Sequence, residues 1–359
     1  MPDGIMPFQR YIVRQKGVVE VGEASCGQCH TRVMPDGAMI KGAQGNFPGP
    51  PTVAYGLRRR AAAGPEAIAA ILNTNRRAQI VNLGAPWIHP NPADDFLGSI
   101  EEQIGSLEAM PPGVQAREGS SRRYPTQVPD LIGIKDRHYL DHTGLVRHRS
   151  IGDVMRYAAL NQDAHFRARY GDFVPATFLA PDAPIAKSRY SDEQLYALAL
   201  YLYSIQPPPN PNTFDAVAER GQQVFARSGC TTCHTPPLYT SNTLTPVDGF
   251  TVPDDHHTKY NIMPMSVGTD PMLALGTRRG TGYYKVPSLK GVWYRGPFEH
   301  NGSVATLEDW FDPRRLREDY VPTGFKGYGV TTRAVKGHRF GLDLSADDRR
   351  ALIAFLKTL

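Results

Sequence analysis

The chain has 359 residues, 41% hydrophobic content and a formal net charge of +5. That length allows two domains, and the composition is that of an ordinary globular protein rather than a disordered or fibrous one. Its 34 glycines and 31 prolines predict much irregular backbone. The longest apolar run, "ALALYLY" (197–203), is far too short to span a bilayer. The basic cluster "RRR" (58–60) carries no pattern and reads as solvated or paired with anions, not as a nucleic-acid patch.

Taken in order, the start "MPDGIMPFQRYIVRQ" has no apolar stretch of the kind a signal peptide needs. "RYIVRQKGVVEVGEAS" (10–25) alternates like strand and runs directly into "CGQCH" (26–30). Helices are predicted near 65–73, 99–109, 150–160 and 213–227, the last leading into "CTTCH" (230–234). "VPDLIGIKDRHYLDHTGLV" (128–146) returns as "VPSLKGVWYRGPFEHNGSV" (286–304) at a constant offset of 158, with eight of nineteen positions identical. After each copy, "SIGDVM" (150–155) and "TLEDWF" (306–311) set Ser or Thr three residues before Asp, a helix-start signature. "SDEQLYALALYLYSI" (191–205) and "SADDRRALIAFLKTL" (345–359) match as amphipathic closing helices with Ser at the N-cap. Between the halves, "QPPPNPN" (206–212) cannot continue a helix.

C-x-x-C-H is the attachment signature of a c-type haem: two thioethers from Cys and iron ligation by His. The two motifs start 204 residues apart and use all four cysteines, so no disulfide is left to form. A zinc or redox C-x-x-C pair would leave the adjoining His and the duplication unexplained. The expected organisation is residues 1–205 as a cytochrome c-like domain with haem one, 206–212 as linker and 213–359 as a second such domain with haem two. The fold class is mainly α, two cytochrome c-like domains related by internal duplication, with long loops and a small β element. The propionates of two haems would nearly cancel the net positive charge. Covalent haem implies an exported, normally periplasmic, protein.

With both motifs and "VPSLKGVWYRGPFEHNGSVATLEDWFDP" in view, the chain resembles the dihaem cytochrome c peroxidase superfamily. That superfamily includes bacterial dihaem peroxidases, the tryptophan-modifying enzyme MauG and the dihaem rubber oxygenases. The ending "KGHRFGLDLSADDRRALIAFLKTL" and the wide spacing of the motifs look closer to the rubber-oxygenase branch. The resemblance implies one closed electron-transfer haem and one haem where peroxide or dioxygen reacts. Neither familiar sixth ligand of the peroxidases carries over: Arg314 stands where their second haem has Met, and no His occurs between His30 and His89.

Cys26, Cys29 and His30 are therefore assigned to haem one, and Cys230, Cys233 and His234 to haem two. His338, in the glycine-flanked "VKGHRFG" seven residues before Ser345, is the expected sixth ligand of haem two, with Met263 and Met265 as alternatives. The same offset before Ser191 gives Pro184, which ligates nothing, so haem one is expected to be the open, reactive centre. His89, Met34, Met39 or a tyrosine could close it at rest. His142 and His300, kept in both copies, are expected at the haem edge, with Arg137 and Arg295 as propionate partners. The catalytic residues are not identified by sequence; His89, Glu101 and Glu102 are weak acid/base candidates, with Glu108 nearby. His256 and His257 read as a solvated loop, and Trp87 or Trp293 as packed residues that could bridge electron transfer. The leading function is an oxidoreductase in which haem one meets peroxide or dioxygen and haem two exchanges electrons with a small redox protein. A dioxygenase for an apolar organic substrate and a pure electron carrier are the alternatives.

Overall fold

The structure, a computed structural model, describes residues 10–22, 25–83, 98–116, 124–161, 190–277 and 279–359. The protein is mainly helical, with several two-stranded antiparallel ribbons. A hairpin, β1 (Arg10–Gln15) and β2 (Val18–Gly22), leads to a single helical turn, α1 (Cys26–Cys29), and a short ribbon, β3 (Thr31–Val33) and β4 (Met39–Lys41). Three helices follow: α2 (Gly49–Ala61), α3 (Pro65–Leu83) and α4 (Ile100–Glu108). They bury Ala54, Leu57, Ile71, Ile104 and Leu107 against one another. These helices fall within the stretch that makes the first half longer than the second. α2 was not expected from the sequence, because "GPP" at its start reads as loop. Proline is tolerated in the first turn, where its missing N–H has no intrahelical partner to lose.

Ribbon β5 (Val114–Gln115)–β6 (Thr126–Gln127) precedes the first repeat copy, which contains β7 (Tyr139–Leu140) and β8 (Val146–Arg147). α5 (Ile151–Leu160) then packs on the closing helix α6 (Asp192–Ser204), burying Val154, Ala199 and Leu202. Residues 206–212 carry no regular structure, as the prolines require, and Asn210 donates to the Lys357 carbonyl at 2.9 Å. In the second half, α7 (Ala216–Arg227) enters motif two, β9 (Leu244–Pro246) pairs with β10 (Tyr283–Lys285), and α8 (His256–Lys259), α9 (Met272–Leu275) and α10 (Leu307–Trp310) are single turns. The closing helix α11 (Ala346–Lys357) crosses α7 so closely that a Cβ on Gly221 would lie 1.9 Å from the Ala351 carbonyl oxygen. Phe225 and Phe355 pack edge to face at 5.4 Å beside that crossing.

The helix starts follow the sequence signals. Ser191 and Ser345 accept from the backbone N–H three residues on, and Ser150 forms a capping box with Asp153. The two repeat copies meet face to face. Gln127 N–H donates to the His300 carbonyl at 2.8 Å, and Lys285 N–H, 158 positions later, donates to the His142 carbonyl at 2.9 Å. Gly144 lies against Leu244 of β9 and Gly302 against Val114 of β5, each with positive φ and no room for a Cβ. Each copy thus inserts its glycine into the ribbon of the other half, a two-fold exchange within one chain.

Candidate haem sites

Both C-x-x-C-H motifs form tight turns in which the histidine N–H donates to the first cysteine carbonyl, at 2.9 Å for His30 and 2.9 Å for His234. At motif two the two thiols and the imidazole line a common cavity. At motif one the chain returns against it at Gly45, whose Cβ would lie 2.1 Å from the Cys29 oxygen. His30 Nδ1 donates to the Pro129 carbonyl at 3.0 Å, and His234 Nδ1 to the Tyr239 carbonyl at 3.1 Å, with the Pro287 carbonyl adding to it. Pro129 and Pro287 are equivalent positions of the repeat. A backbone acceptor on Nδ1 fixes the tautomer and orientation of the ring and leaves Nε2 free to ligate. Burial lowers His30 to about 4 and lowers His234 too, against the opposing pull of these carbonyls. Both rings are therefore neutral at physiological pH, the form a metal needs.

Cys230, Cys233, His234 and His338 line one cavity. Its apolar walls come from Phe225 of α7 and Leu352 and Leu356 of α11, so the helix crossing builds the pocket. His338 Nδ1 is closed off from solvent and has no hydrogen-bond partner. Burial, then the neighbouring His234, pushes His338 down to about 3. Burial, assisted by the Cys233 charge and opposed by a backbone hydrogen bond, holds the Cys230 thiol at about 11.

A polar part of the cavity is shared between the halves. Arg137 from the first copy, Arg295 from the second and Lys285 of β10 all line it. Burial, then Arg137, lowers Lys285 to about 7. The expectation that both arginines are propionate partners needs refinement. Arg137 donates to the Asp130 and Ile132 carbonyls, the latter at 2.7 Å, and Arg295 to the Ser288 carbonyl at 2.7 Å. Each therefore first holds its own repeat loop. Arg295 Nε is buried and unpartnered, which leaves it for a group in the cavity. These features fit a c-type haem: two thiols, two imidazoles, apolar walls, and three cations that could meet the propionates. Lys285 was missed by sequence reading because its repeat counterpart is Gln127. The backbone role of Pro129 and Pro287 was visible only as their retention in both copies.

His142 and His300 come together on the wall of this cavity. His142 Nε2 donates to the Gln127 carbonyl at 2.8 Å, and His300 stacks on Tyr284 at 4.5 Å between ring centroids. Burial, then His142, holds His300 at about 3. Beside it Glu299 lines the cavity with a buried, unpartnered Oε1, and burial raises its carboxyl to about 7 despite Arg315. Sequence reading did not single out Glu299. It and its counterpart Asp141 both have left-handed backbone, φ 67° and 72°.

The remaining candidates lie elsewhere. Met263 Sδ touches Cys233 Sγ at 3.6 Å, and neither Met263 nor the exposed Met265 lines the cavity. Glu102 closes the capping box of α4 by accepting from the Ser99 N–H at 2.7 Å, Glu101 is exposed, and Glu108 pairs with Arg58 at 2.7 Å. Glu102 thus serves a helix start, Glu108 an ion pair, and Glu101 faces solvent, and none of the three lines the cavity of motif two. His256 and His257 belong to helix α8 rather than a loop, and His256 bonds the Tyr283 hydroxyl at 2.9 Å. Trp293, with Met34 half-buried beside it, packs in the cluster of Ile40, Ala43, Ile132 and Tyr294, whereas Met39 is exposed. His89, Trp87 and Pro184 fall outside the described residues. Among the described residues no three or more His, Cys, Asp or Glu side chains converge as a zinc site would require.

A family model described as RoxA-like, cytochrome c-like matches residues 282–321. That segment holds β10, the second repeat copy and α10. The chain contains a cytochrome c-like domain. A c-type haem is the cofactor that such a domain and its C-x-x-C-H motif imply. No curated protein matches the chain. Among solved structures, Kuenenia stuttgartiensis hydrazine synthase, pressurized with 20 bar xenon, is similar over 80% of this chain and 87% of its own, at 14% identity and a TM-score of 0.38. That degree of likeness carries no functional argument. Among the described residues no helix is long and apolar enough to cross a membrane.

Proposed function

We propose that the chain is an exported dihaem c-type oxidoreductase of the peroxidase-like kind, with two cytochrome c-like domains and two unlike haem sites. The observation that supports this reading is that Cys230, Cys233, His234 and His338 line one cavity, so that motif two would have a second imidazole available to hold its haem. Bound haem supplies a reversible one-electron iron couple and, where a sixth position is free, a place for peroxide or dioxygen to bind. The chain's own residues then divide the work. Cys26, Cys29 and His30 hold haem one; Cys230, Cys233 and His234 hold haem two. Arg295, Lys285 and Arg137 neutralise propionates at the shared end of the cavity. His338 would hold haem two as a second ligand, which would suit it to exchanging electrons with a small redox protein and with haem one. Haem one has no sequence counterpart of His338 and is the site for the small oxidant.

Intact mass spectrometry of protein matured with the haem-attachment machinery is expected to show two haem additions. Cyanide on the ferric protein and carbon monoxide on the reduced protein are expected to bind at about one equivalent per chain. The site that binds should be the one whose spectrum survives substitution of His338. One haem addition, or no ligand binding in any redox state, refutes the reading; the latter leaves an electron carrier. Cleavage of an apolar organic substrate without added peroxide would select the dioxygenase instead.

A further inference from the structure

Arg315 is fully buried, at 0% exposure, yet no part of the haem sites described so far uses it. Its guanidinium makes three hydrogen bonds, all to backbone carbonyls: Nε to Trp310 at 2.9 Å, Nη1 to Val335 at 2.9 Å and Nη2 to His338 itself at 2.7 Å. Its own carbonyl accepts from the Val335 N–H at 2.7 Å. The guanidinium carbon lies 5.1 Å from the Trp310 ring centroid, and the same ring meets the His338 imidazole edge to face at 5.4 Å. The stretch from Val335 to His338 has no regular secondary structure to hold it. At Gly337 it passes so close that a Cβ would lie 2.5 Å from Glu299 Oε1 and 3.4 Å from Arg315 Nη1.

We propose that Arg315 is the positioning residue of haem two, a guanidinium fork that fixes the 335–338 loop and so keeps the His338 imidazole at the iron. This rests on the proposed ligation by His338. The reasoning is geometric. A planar fork with fixed N–H directions sets two carbonyls relative to each other, which a single-point ammonium cannot do. Burying a cation is unfavourable unless its donors are satisfied and a counter-charge is near. Here three carbonyls satisfy it, and Glu299 is the nearby acid. Trp310 packs on both the guanidinium and the imidazole, so tilting one tilts the other. Without the fork, the loop keeps the Val335 N–H bond and the Trp310 contact but loses the two carbonyl bonds that fix it, and His338 would exchange on and off the iron.

The test uses the full-length protein with its covalent haems. Arg315→Met is expected to move a large fraction of haem two from low spin to high spin and to admit a second equivalent of cyanide. Added imidazole is expected to restore the low-spin spectrum. Arg315→Lys, which keeps the charge and loses the fork, is expected to retain low-spin haem two but to exchange His338 for cyanide at least tenfold faster. If Arg315→Met does not fold, the Lys variant decides the matter. An unchanged spectrum in the Met variant, or unchanged exchange in the Lys variant, overturns the proposal. His338→Gly separates the two levels: if it leaves haem two unaltered, the ligation reading itself fails, whereas if it opens haem two and the Arg315 variants do not, only the positioning role fails.

Discussion

The two halves of the molecule share a repeat, a haem motif and a closing helix, yet they enter their motifs differently. In the second half α7 lies across α11 with Gly221 at the crossing. In the first, hairpin β1–β2 meets the start of α6, where the Gln194 side chain donates to the Tyr11 carbonyl and accepts from the Val13 N–H, both at 3.2 Å. The helix crossing lays Phe225, Leu352 and Leu356 along the wall of the motif-two cavity. The residues of the hairpin do not line that cavity. The lesson is that a repeated cofactor motif need not be walled alike, because the element that enters it, helix α7 in one half and a hairpin in the other, is not repeated.

The comparison is broken most severely at that crossing. Gly221→Val places its side chain into the α11 backbone, where nothing can yield as a flexible side chain would. The expected cost is at least about 3 kcal/mol, the upper end of ordinary overpacking, and the second haem is expected to be lost or its attachment incomplete by mass. Gln194→Ala, the matching cut in the first half, removes hydrogen bonds worth roughly 1 kcal/mol and leaves both haems attached. Equal damage from the two variants would mean that the halves are built alike after all.

A second test is ionic. At the repeat position shared with Asp141, burial raises Glu299 to about 7 from its usual 4.5. The groups facing it are Arg315, Asp270, Arg333 and Thr269. With the folded pKa above the unfolded one, folding favours the protonated acid. Its stabilising effect is complete below about pH 4.5 and lost as pH rises through about 7, amounting to up to about 3 kcal/mol. Denaturant unfolding between pH 5 and 8 is expected to show this decline, and Glu299→Gln to flatten it. An unchanged slope in the variant assigns the decline elsewhere.

The glycine exchange between the copies should be symmetric. Gly144→Ala and Gly302→Ala each add a Cβ at positive φ against a neighbour, 2.5 Å from Leu244 and 2.3 Å from Val114. Each is expected to cost about 1–3 kcal/mol by denaturant unfolding. A large cost at one and none at the other would make the two-fold contact one-sided.

Much of this was legible in the sequence. The motifs, the repeat, the capping serines and both closing helices are side-chain patterns, and each appears where the spacing puts it. His338 is singled out by its glycines and its distance to Ser345, and the structure puts it on the wall of the cavity that Cys230, Cys233 and His234 also line. What escaped reading was carried by the backbone or by tertiary pairing. The carbonyls of Pro129 and Pro287 have no side-chain signature, and Lys285 has no counterpart to draw attention to it. Arg314 stood out because a Met was expected there, whereas the buried neighbour that reaches the His338 loop is Arg315. The meeting of His142 and His300 depends on how the halves face each other, which no local pattern encodes.

The smallest expected effect concerns the irons themselves. Asp130 follows the proline whose carbonyl holds His30, and its side chain is 2% exposed. It accepts from the Tyr294 hydroxyl at 3.0 Å and from the Ile132 N–H at 3.1 Å, with Arg137 Nη2 at 4.0 Å. Its charge reaches His30, favouring positive charge on that ring. The equivalent position of the second copy is Ser288, whose hydroxyl is spent on the Leu238 carbonyl at 2.6 Å. A fixed carboxylate behind one proximal histidine and a neutral hydroxyl behind the other bias the two sites apart. Negative charge stabilises ferric over ferrous iron, so the proposed haem one is held at lower potential than it would otherwise have. Arg137 offsets part of this, leaving on the order of 1 kcal/mol, or about 40 mV for a one-electron couple. Spectroelectrochemical titration of Asp130→Asn is expected to raise the haem-one midpoint by that order. Because Asp130 also borders the cavity of motif two, both haems must be followed in the same titration. No shift at haem one, or a larger one at haem two, would show that Asp130 serves the shared propionate end rather than His30.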